Sequence, residues 1–335
     1  MPTRIATVSL MRNEADIVEA FARYHLQFVT GMLFVDHRST DNSREIVAAL
    51  KAEGLPVELR STNALSFDQT QMVNAHTAEA ATLFKADWIL PLDLDECVHG
   101  CGISTPISEL QHHAGDRPVR MPWRTYVPTR VDDQSEKNPF KRITHRLKQE
   151  SEQFYKIAAP SRLLEGNRYY IGMGNHGLVA RHKRDRVEAA TAESTWIAHF
   201  PVRTPEQYMS KILLGWLSVL VKDDRNRKDG YHWKRHFDRI VQQGNLRYED
   251  LESICIGYLD APDGEVPSKL VSDPLPSGLL DFTLTNPVPD TGSAFANAMR
   301  FAEEIAEAYG KLRTAERVNS KRHRLKLGRF FIGWE

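Results

Sequence analysis

Short apolar runs alternate with stretches of helical periodicity over the first 95 residues or so. RIATVSL (4–10) is apolar and β-branched, MLFVD (32–36) and PVELR (56–60) read as two shorter strands, and DWILPLD (87–93) is a fourth, with Pro91 near its end. Between them, EADIVEAFARYHLQF (14–28) places Ile17, Val18, Phe21, Tyr24 and Phe28 at helical spacing. DNSREIVAALKAEG (41–54) reads as a helix capped by Asp41 and closed by Gly54, and FDQTQMVNAHTAEAATLFK (67–85) as a third. The order β-α-β-α-β-α-β requires right-handed crossovers. It predicts an α/β fold with a mostly parallel sheet and helices on both faces.

Farther along, the pattern is less regular. A region at 1–215, with halves 1–100 and 101–215, is expected to hold the chemistry, and 216–335 to form a helical and irregular extension. In that extension AFANAMRFAEEIAEAY (294–309) has the spacing of an amphipathic helix, packed on the first region or on a second subunit. The Pro-rich stretch 260–290 is expected to be irregular. TPEQ (204–207) has the residues of a capping box at a helix start, with Thr204 as N-cap and Gln207 three positions on. The longest apolar run, ILLGWLSVLV (212–221), is too short to span a bilayer.

Composition narrows the function classes. Lys plus Arg and Asp plus Glu are each 44, so the net charge is zero, unlike a general nucleic-acid coat protein. Three cysteines, Cys97, Cys101 and Cys255, are too few and too odd in number for a disulfide scaffold, and suit a reducing compartment. The start MPTRIATVSL has no apolar segment of the secretory kind, so the expected location is the cytoplasm. The end, KRHRLKLGRFFIGWE, mixes cations with Leu, Phe and Trp. It can touch an anionic membrane surface at the inner face, or serve as a basic helix end stapled to the core.

Polar residues gather where the strands end. Arg12, Asn13 and Glu14 follow the first strand, Asp36, His37 and Arg38 the second, and Asp93, Asp95 and Glu96 the fourth. In open α/β sheets that rim is where ligands bind. The turn after the first strand is MRNEAD, without the glycines of a dinucleotide fingerprint. The GMGNHG at 172–177 lies far from that strand. In an extended chain Asp93 and Asp95 point the same way and Glu96 the other. Two carboxylates on one face suit Mg²⁺ or Mn²⁺, which take hard oxygen ligands and leave positions open for phosphates. The plain alternative is a solvated acidic turn.

Three segments carry a resemblance: SLMRNEADIVEAFARYH, with NE after the first strand; FVDHRSTDNS, with D-x-x-S-T-D; and DLDE at the end of the fourth strand. In this order and spacing they resemble the GT-A glycosyltransferases of the family-2-like kind. The likeness covers residues 4–96, with a looser one through YKIAAPSRLL, GMGNHGLV and AHFPVRTPEQYMSKI to about 215. It implies a nucleotide-sugar donor held by the first two strands, an Mn²⁺ or Mg²⁺ ion, and a glycan, lipid or small-molecule acceptor. Asp36 would lie near the base or ribose, Asp93 near the ribose or metal, and Asp95 on the metal. The residue after Asp36 is His37, where many relatives carry a second acid. Relatives often complete the metal site with a histidine, here His176 or His199. Arg12, Lys156 and Arg203 are the candidate cations for a departing diphosphate, with Asn13 and Glu14 beside the donor.

An inverting transfer also needs a carboxylate base. Asp132, Asp133 and Glu96 are the candidates, and Trp123 could stack on an acceptor sugar or sit in the core. A nucleotidyltransferase is the neighbouring reading, although such enzymes often carry a glycine-rich basic loop after the first strand. A non-catalytic carbohydrate- or nucleotide-binding protein is the third. Without a cation, Asp93, Asp95 and Glu96 would repel one another, so Asp95→Asn is expected to raise apo stability.

Overall fold

The computed structural model describes residues 3–100, 108–112, 117–182, 187–222, 230–244, 246–258, 269–286 and 293–330. Strands β1 (Ile5–Met11), β2 (Gly31–His37), β3 (Val57–Thr62) and β4 (Trp88–Pro91) are parallel, in the order β4-β1-β2-β3. Helices α1 (Val18–His25), α2 (Ser43–Ala52) and α3 (Gln69–Phe84) connect them. Phe21, Ile46 and Leu50 of α1 and α2 pack with Met32, Phe34 and Leu90 on one face. Val73, Ala80 and Phe84 of α3 pack with Ala6, Val8, Leu33 and Ile89 on the other. β1 is therefore buried from both sides, Thr7 and Ser9 included. Gly31 lets α3 approach closely, since a Cβ there would lie 2.1 Å from the Phe84 ring.

The next elements are β5 (Glu96–Gly100), α4 (Ser108–His112), β6 (Val119–Val127), α5 (Pro139–Arg142), β7 (His145–Leu147), β8 (Tyr155–Pro160) and α6 (Ser161–Leu164). The small strands β9 (Tyr169–Ile171), β10 (Leu178–Ala180) and β11 (Ala190–Thr191) lead to β12 (Thr195–His199). Beyond β4 the sheet continues through β8, β6 and β7 with antiparallel pairing. β12 joins it parallel to β6 and antiparallel to β5, which sets His199 opposite Glu96.

Helices α7 (Pro205–Leu220), α8 (Tyr231–Gln243), α9 (Leu251–Ile256) and α10 (Ala294–Phe330), with strand β13 (Leu270–Ser272) on β7, complete the chain. Tyr208, Ile212 and Leu213 of α7 share a second core with Ile240, Ile254, Ala294 and Ala298. The expected boundary at 215/216 falls inside α7, which is continuous. The amphipathic helix expected at 294–309 is present, packs on α7, and runs on to Phe330. Within 260–290 the described residues hold one three-residue strand and one short 3₁₀ turn, otherwise irregular chain; 260–268 and 287–290 lie outside the described residues.

Two of the helix starts differ from those expected for a reason that the hydrogen bonds show. α1 begins at Val18, four residues later than expected, because Glu14 to Ile17 form a turn held from outside. Ser43 Oγ and Asp41 Oδ2 accept the backbone N–H groups of Glu14 and Ala15. Asp41 itself accepts from Ser43 N and does not cap α2 as the terminal residue; Asn42 occupies that position.

Candidate active site

The acidic stretch after β4 is a tight turn. Glu96 N donates to the Asp93 carbonyl at 3.1 Å, and Asp93 N donates to Glu96 Oε2 at 3.0 Å. The chain is thus folded back at residues 93–96, and the expected extended alternation of Asp93 and Asp95 does not apply. Asp93 takes Lys156 Nζ at 2.6 Å and Gln69 Nε2 at 3.0 Å. Asp95 faces α7, where Lys211 Nζ lies 2.5 Å from Oδ2, and β12, where His199 Nε2 lies 3.6 Å away. Phe200 N ties the Asp95 carbonyl to the end of β12 at 2.7 Å.

Asp95, Glu96 and His199 are all buried and bring one carboxylate oxygen each and a ring nitrogen within 4.8 Å of one another. Two carboxylate oxygens and one imidazole form a donor set that could hold a divalent metal ion. The strand pairing explains the convergence, because Glu96 opens β5 and His199 closes β12 directly opposite. His176, the other histidine expected near a metal, stands outside this trio and turns Nδ1 to the Tyr155 carbonyl at 2.7 Å. Trp123 is 9% exposed, stacks on His199 at 4.3 Å, and meets His176 edge-on.

The electrostatics follow from burial and pairing. Burial pushes the Glu96 carboxyl well above the usual range, Lys156 pulling the other way. Burial works in the same direction on Asp95, but Lys211 and then His199 outweigh it and hold that carboxyl well below its ordinary value. Burial opposes the charge on Lys211, and Asp95 more than restores it. Three carboxylates are thus met by two ammonium groups and an imidazole inside the protein. Lys156 and Lys211 offset part of the turn's negative charge, and neither residue type nor spacing in the sequence pointed to Lys211.

Arg203 is fully buried and gives its guanidinium to Asp16, at 2.7 and 2.9 Å, and to Glu14. Burial raises the Glu14 carboxyl to about 7 against the pull of Arg203. Asp132 accepts Thr129 N and Oγ1 at 2.8 Å and the Tyr248 hydroxyl at 3.0 Å. Asp133 accepts Ser135 N at 2.9 Å. Asp133 holds its own loop, Asp132 ties that loop to Tyr248, and neither belongs to the Asp95, Glu96 and His199 cluster.

A cleft of about 230 Å³ opens at the ends of β1, β2 and β3, with Arg12, Asp36, Arg38, Arg44, Phe301 and Glu304 among its walls. Asp36 accepts Ser39 N at 3.2 Å and lies 3.9 Å from Arg44. Asn13 and Arg38 stand in the left-handed backbone region, at φ 55° and 61°, where non-glycine residues are uncommon. Asn13 is held there by its side-chain oxygen, which accepts Thr40 N at 2.7 Å. Arg12 is drawn down to about 10 by burial and by Arg38. α7 spans both features: Lys211 reaches Asp95, Ser210 Oγ lies 3.4 Å from Asn13, and Ser218 accepts from Arg12 at 2.5 Å. β1 lies between β4 and β2 in the sheet, two strand spacings or about 10 Å across, and β2 runs farther toward the rim than β4. Arg12 and Asp36, which follow strands in the sequence, line this rim as expected, whereas no local pattern in the sequence marks Arg44 or the walls contributed by α10.

No protein-family model matches the chain, and no curated protein does. Among solved structures it is similar to an inositol-1-phosphate CTP transferase from T. maritima, at 8% identity and a TM-score of 0.37, over 68% of this chain and 99% of that one. A putative glucose-1-phosphate thymidylyltransferase from Bacillus anthracis matches at 8% identity and 0.29, over 85% and 98%. A mannose-1-phosphate geranyltransferase from Thermus thermophilus matches at 14% identity and 0.27, over 82% and 75%. At these scores the likeness assigns no activity.

Proposed function

We propose that the chain is a transferase whose substrate is a sugar joined, or about to be joined, to a nucleotide. One observation carries the reading: the buried Asp95, Glu96 and His199 cluster stands beside a cleft rich in arginine, and α7 contacts both. The nucleotide lies across the strand ends with its base or ribose toward Asp36. Lys156 and Arg12 supply charge for its phosphates. Asp95, Glu96 and His199 would hold Mn²⁺ or Mg²⁺, and such an ion, when bound, neutralises charge on a leaving diphosphate.

Glycosyl transfer is the first form of the reading. The bond from the sugar's anomeric carbon to the diphosphate breaks, a bond to an acceptor hydroxyl forms, and the hydroxyl proton passes to a base. The loop after β1 favours this form. The N–H groups of residues 13, 14 and 15 are bonded to Ser39, Ser43 and Asp41, so they do not cradle a triphosphate. Nucleotidyl transfer onto a sugar phosphate is the second form, the class for which the CTP transferase and the thymidylyltransferase are named. The cleft's four guanidiniums, Arg300 included, suit a polyanionic substrate of that kind.

A single assay separates the two forms. The chain is incubated with Mn²⁺ and either a panel of nucleotide sugars or nucleoside triphosphates plus sugar 1-phosphates. Release of nucleoside diphosphate from the first set supports glycosyl transfer, and pyrophosphate from the second supports nucleotidyl transfer. If neither set reacts and no nucleotide raises the melting temperature, the reading fails.

A further inference from the structure

The cleft at the ends of β1–β3 has a fourth wall from a distant part of the chain. Asn297, Arg300, Phe301 and Glu304 of α10 face it, at the spacing of one helix face. Phe301 is 4% exposed and lies against the Arg12 guanidinium, 4.2 Å from ring centre to carbon. Glu304 forms an ion pair with Arg38, the residue held at φ 61° beside Asp36. Arg38 is anchored on its other side by a bond from Nη1 to the Asn63 carbonyl at 3.1 Å. Two of the cleft's cationic groups are therefore engaged by one helix.

The anchoring of that helix is graded. Ala294 and Ala298 are buried in the second core with α7, and Phe301 is the last of its fully buried residues through Arg313. Glu304 is 43% exposed and Arg38 25% exposed, so the contact that closes the cleft is also a weak one. A carboxylate on a guanidinium is the arrangement that a phosphate would make at the same place.

We propose that α10 is a self-docked latch over the nucleotide cleft. The Glu304 carboxylate occupies the seat on Arg38 that an anionic group of the ligand takes, so ligand entry and closure of the latch compete. The proposal rests on the reading that this cleft takes a nucleotide, and it adds how access is controlled. A ligand must replace one anion by another at Arg38, and the freed turn of α10 then moves away from the cleft without leaving its hydrophobic anchor at Ala294 and Ala298.

The test uses the full chain with Glu304→Gln, which keeps shape and removes the charge, and Glu303→Gln, an exposed neighbour, as control. UDP, GDP, CDP and inorganic pyrophosphate are titrated calorimetrically, and amide exchange of residues 294–305 is followed with and without ligand. Glu304→Gln is expected to bind about two- to five-fold more tightly than the parent, the range of a partly exposed ion pair. Glu303→Gln should match the parent. In an Arg38→Gln background binding should weaken and the gain from Glu304→Gln should vanish. Exchange in the parent should quicken on saturation. Unchanged or weaker nucleotide binding by Glu304→Gln overturns the latch and leaves the nucleotide cleft standing. If pyrophosphate shows the gain while no nucleotide binds either protein, the latch stands and the nucleotide reading falls. If no probe binds either protein, both fall.

Discussion

At the scale of single residues, the acidic turn behaves differently from what its charges alone predict. Repulsion among Asp93, Asp95 and Glu96 implies that Asp95→Asn raises apo stability. The fold reverses that sign, because Lys211 lies on Asp95 and Lys156 on Asp93 and Glu96. Removing one partner of an inward ion pair strands the other. Lys211 keeps 22% of its side chain in solvent, so the expected loss is about 2–3 kcal/mol, below the range for a fully buried pair. Thermal or denaturant unfolding of apo Asp95→Asn checks it, and transfer activity should collapse in the same variant. Lys211→Met probes the competition from the other side. With the ammonium gone, Mn²⁺ should bind about tenfold more tightly or better, since a like charge next to the ligands is removed. Calorimetric titration with Mn²⁺ reads this directly, and an unchanged affinity would count against Asp95 as a ligand of the proposed metal ion. The carboxylates were legible in the sequence because they follow a buried strand. Their partners were not: Lys211 lies 116 residues from Asp95, in a helix whose apolar run 212–217 directly follows it.

At the scale of elements, α7 decides how the rim is organised. Its start was readable: Thr204 Oγ1 accepts Gln207 N at 3.1 Å, with Pro205 in the first turn. The return bond differs from a standard capping box, since Gln207 Oε1 accepts Arg203 N at 3.0 Å, one residue earlier. That shift ties the helix to the Arg203, Glu14 and Asp16 group. Thr204→Ala should cost about 1 kcal/mol in chemical denaturation. Because α7 carries both Lys211 and Ser218, nucleotide affinity should fall in the same variant. The seat of α3 gives a second test. Gly31→Ala drives a methyl into the Phe84 ring, and the ring must move or β2 must shift. A loss of about 1–3 kcal/mol is expected, with a normal melting temperature as the contrary result.

At the scale of the whole molecule, late segments close over early ones. Glu19 on α1 is 4% exposed and accepts Thr285 N at 2.9 Å, Thr285 Oγ1 at 3.0 Å and Asn286 N at 2.9 Å, while pairing with Arg23. Burial works to raise this carboxyl, but the backbone bonds and Arg23 outweigh it and the net shift is downward. A depressed folded value means stability that is present above the unfolded value of 4.5 and is lost as pH falls below it. Glu19→Gln should therefore cost about 2 kcal/mol at neutral pH, and the gap to the parent should narrow in titrations below about pH 4.5. No described helix is long and apolar enough to cross a bilayer. The sequence by itself determined the four parallel strands, their helices and the rim at which Asp36 and Asp93 emerge, because hydrophobic periodicity and caps are local properties of the chain. It also marked the amphipathic start of α10. Only the tertiary structure decided that Glu96 and His199 meet, through pairing of β5 with β12. It alone set Lys211 against Asp95 and Glu304 against Arg38. Contacts across 116 and 266 residues depend on how layers pack and strands register, and no local pattern encodes them.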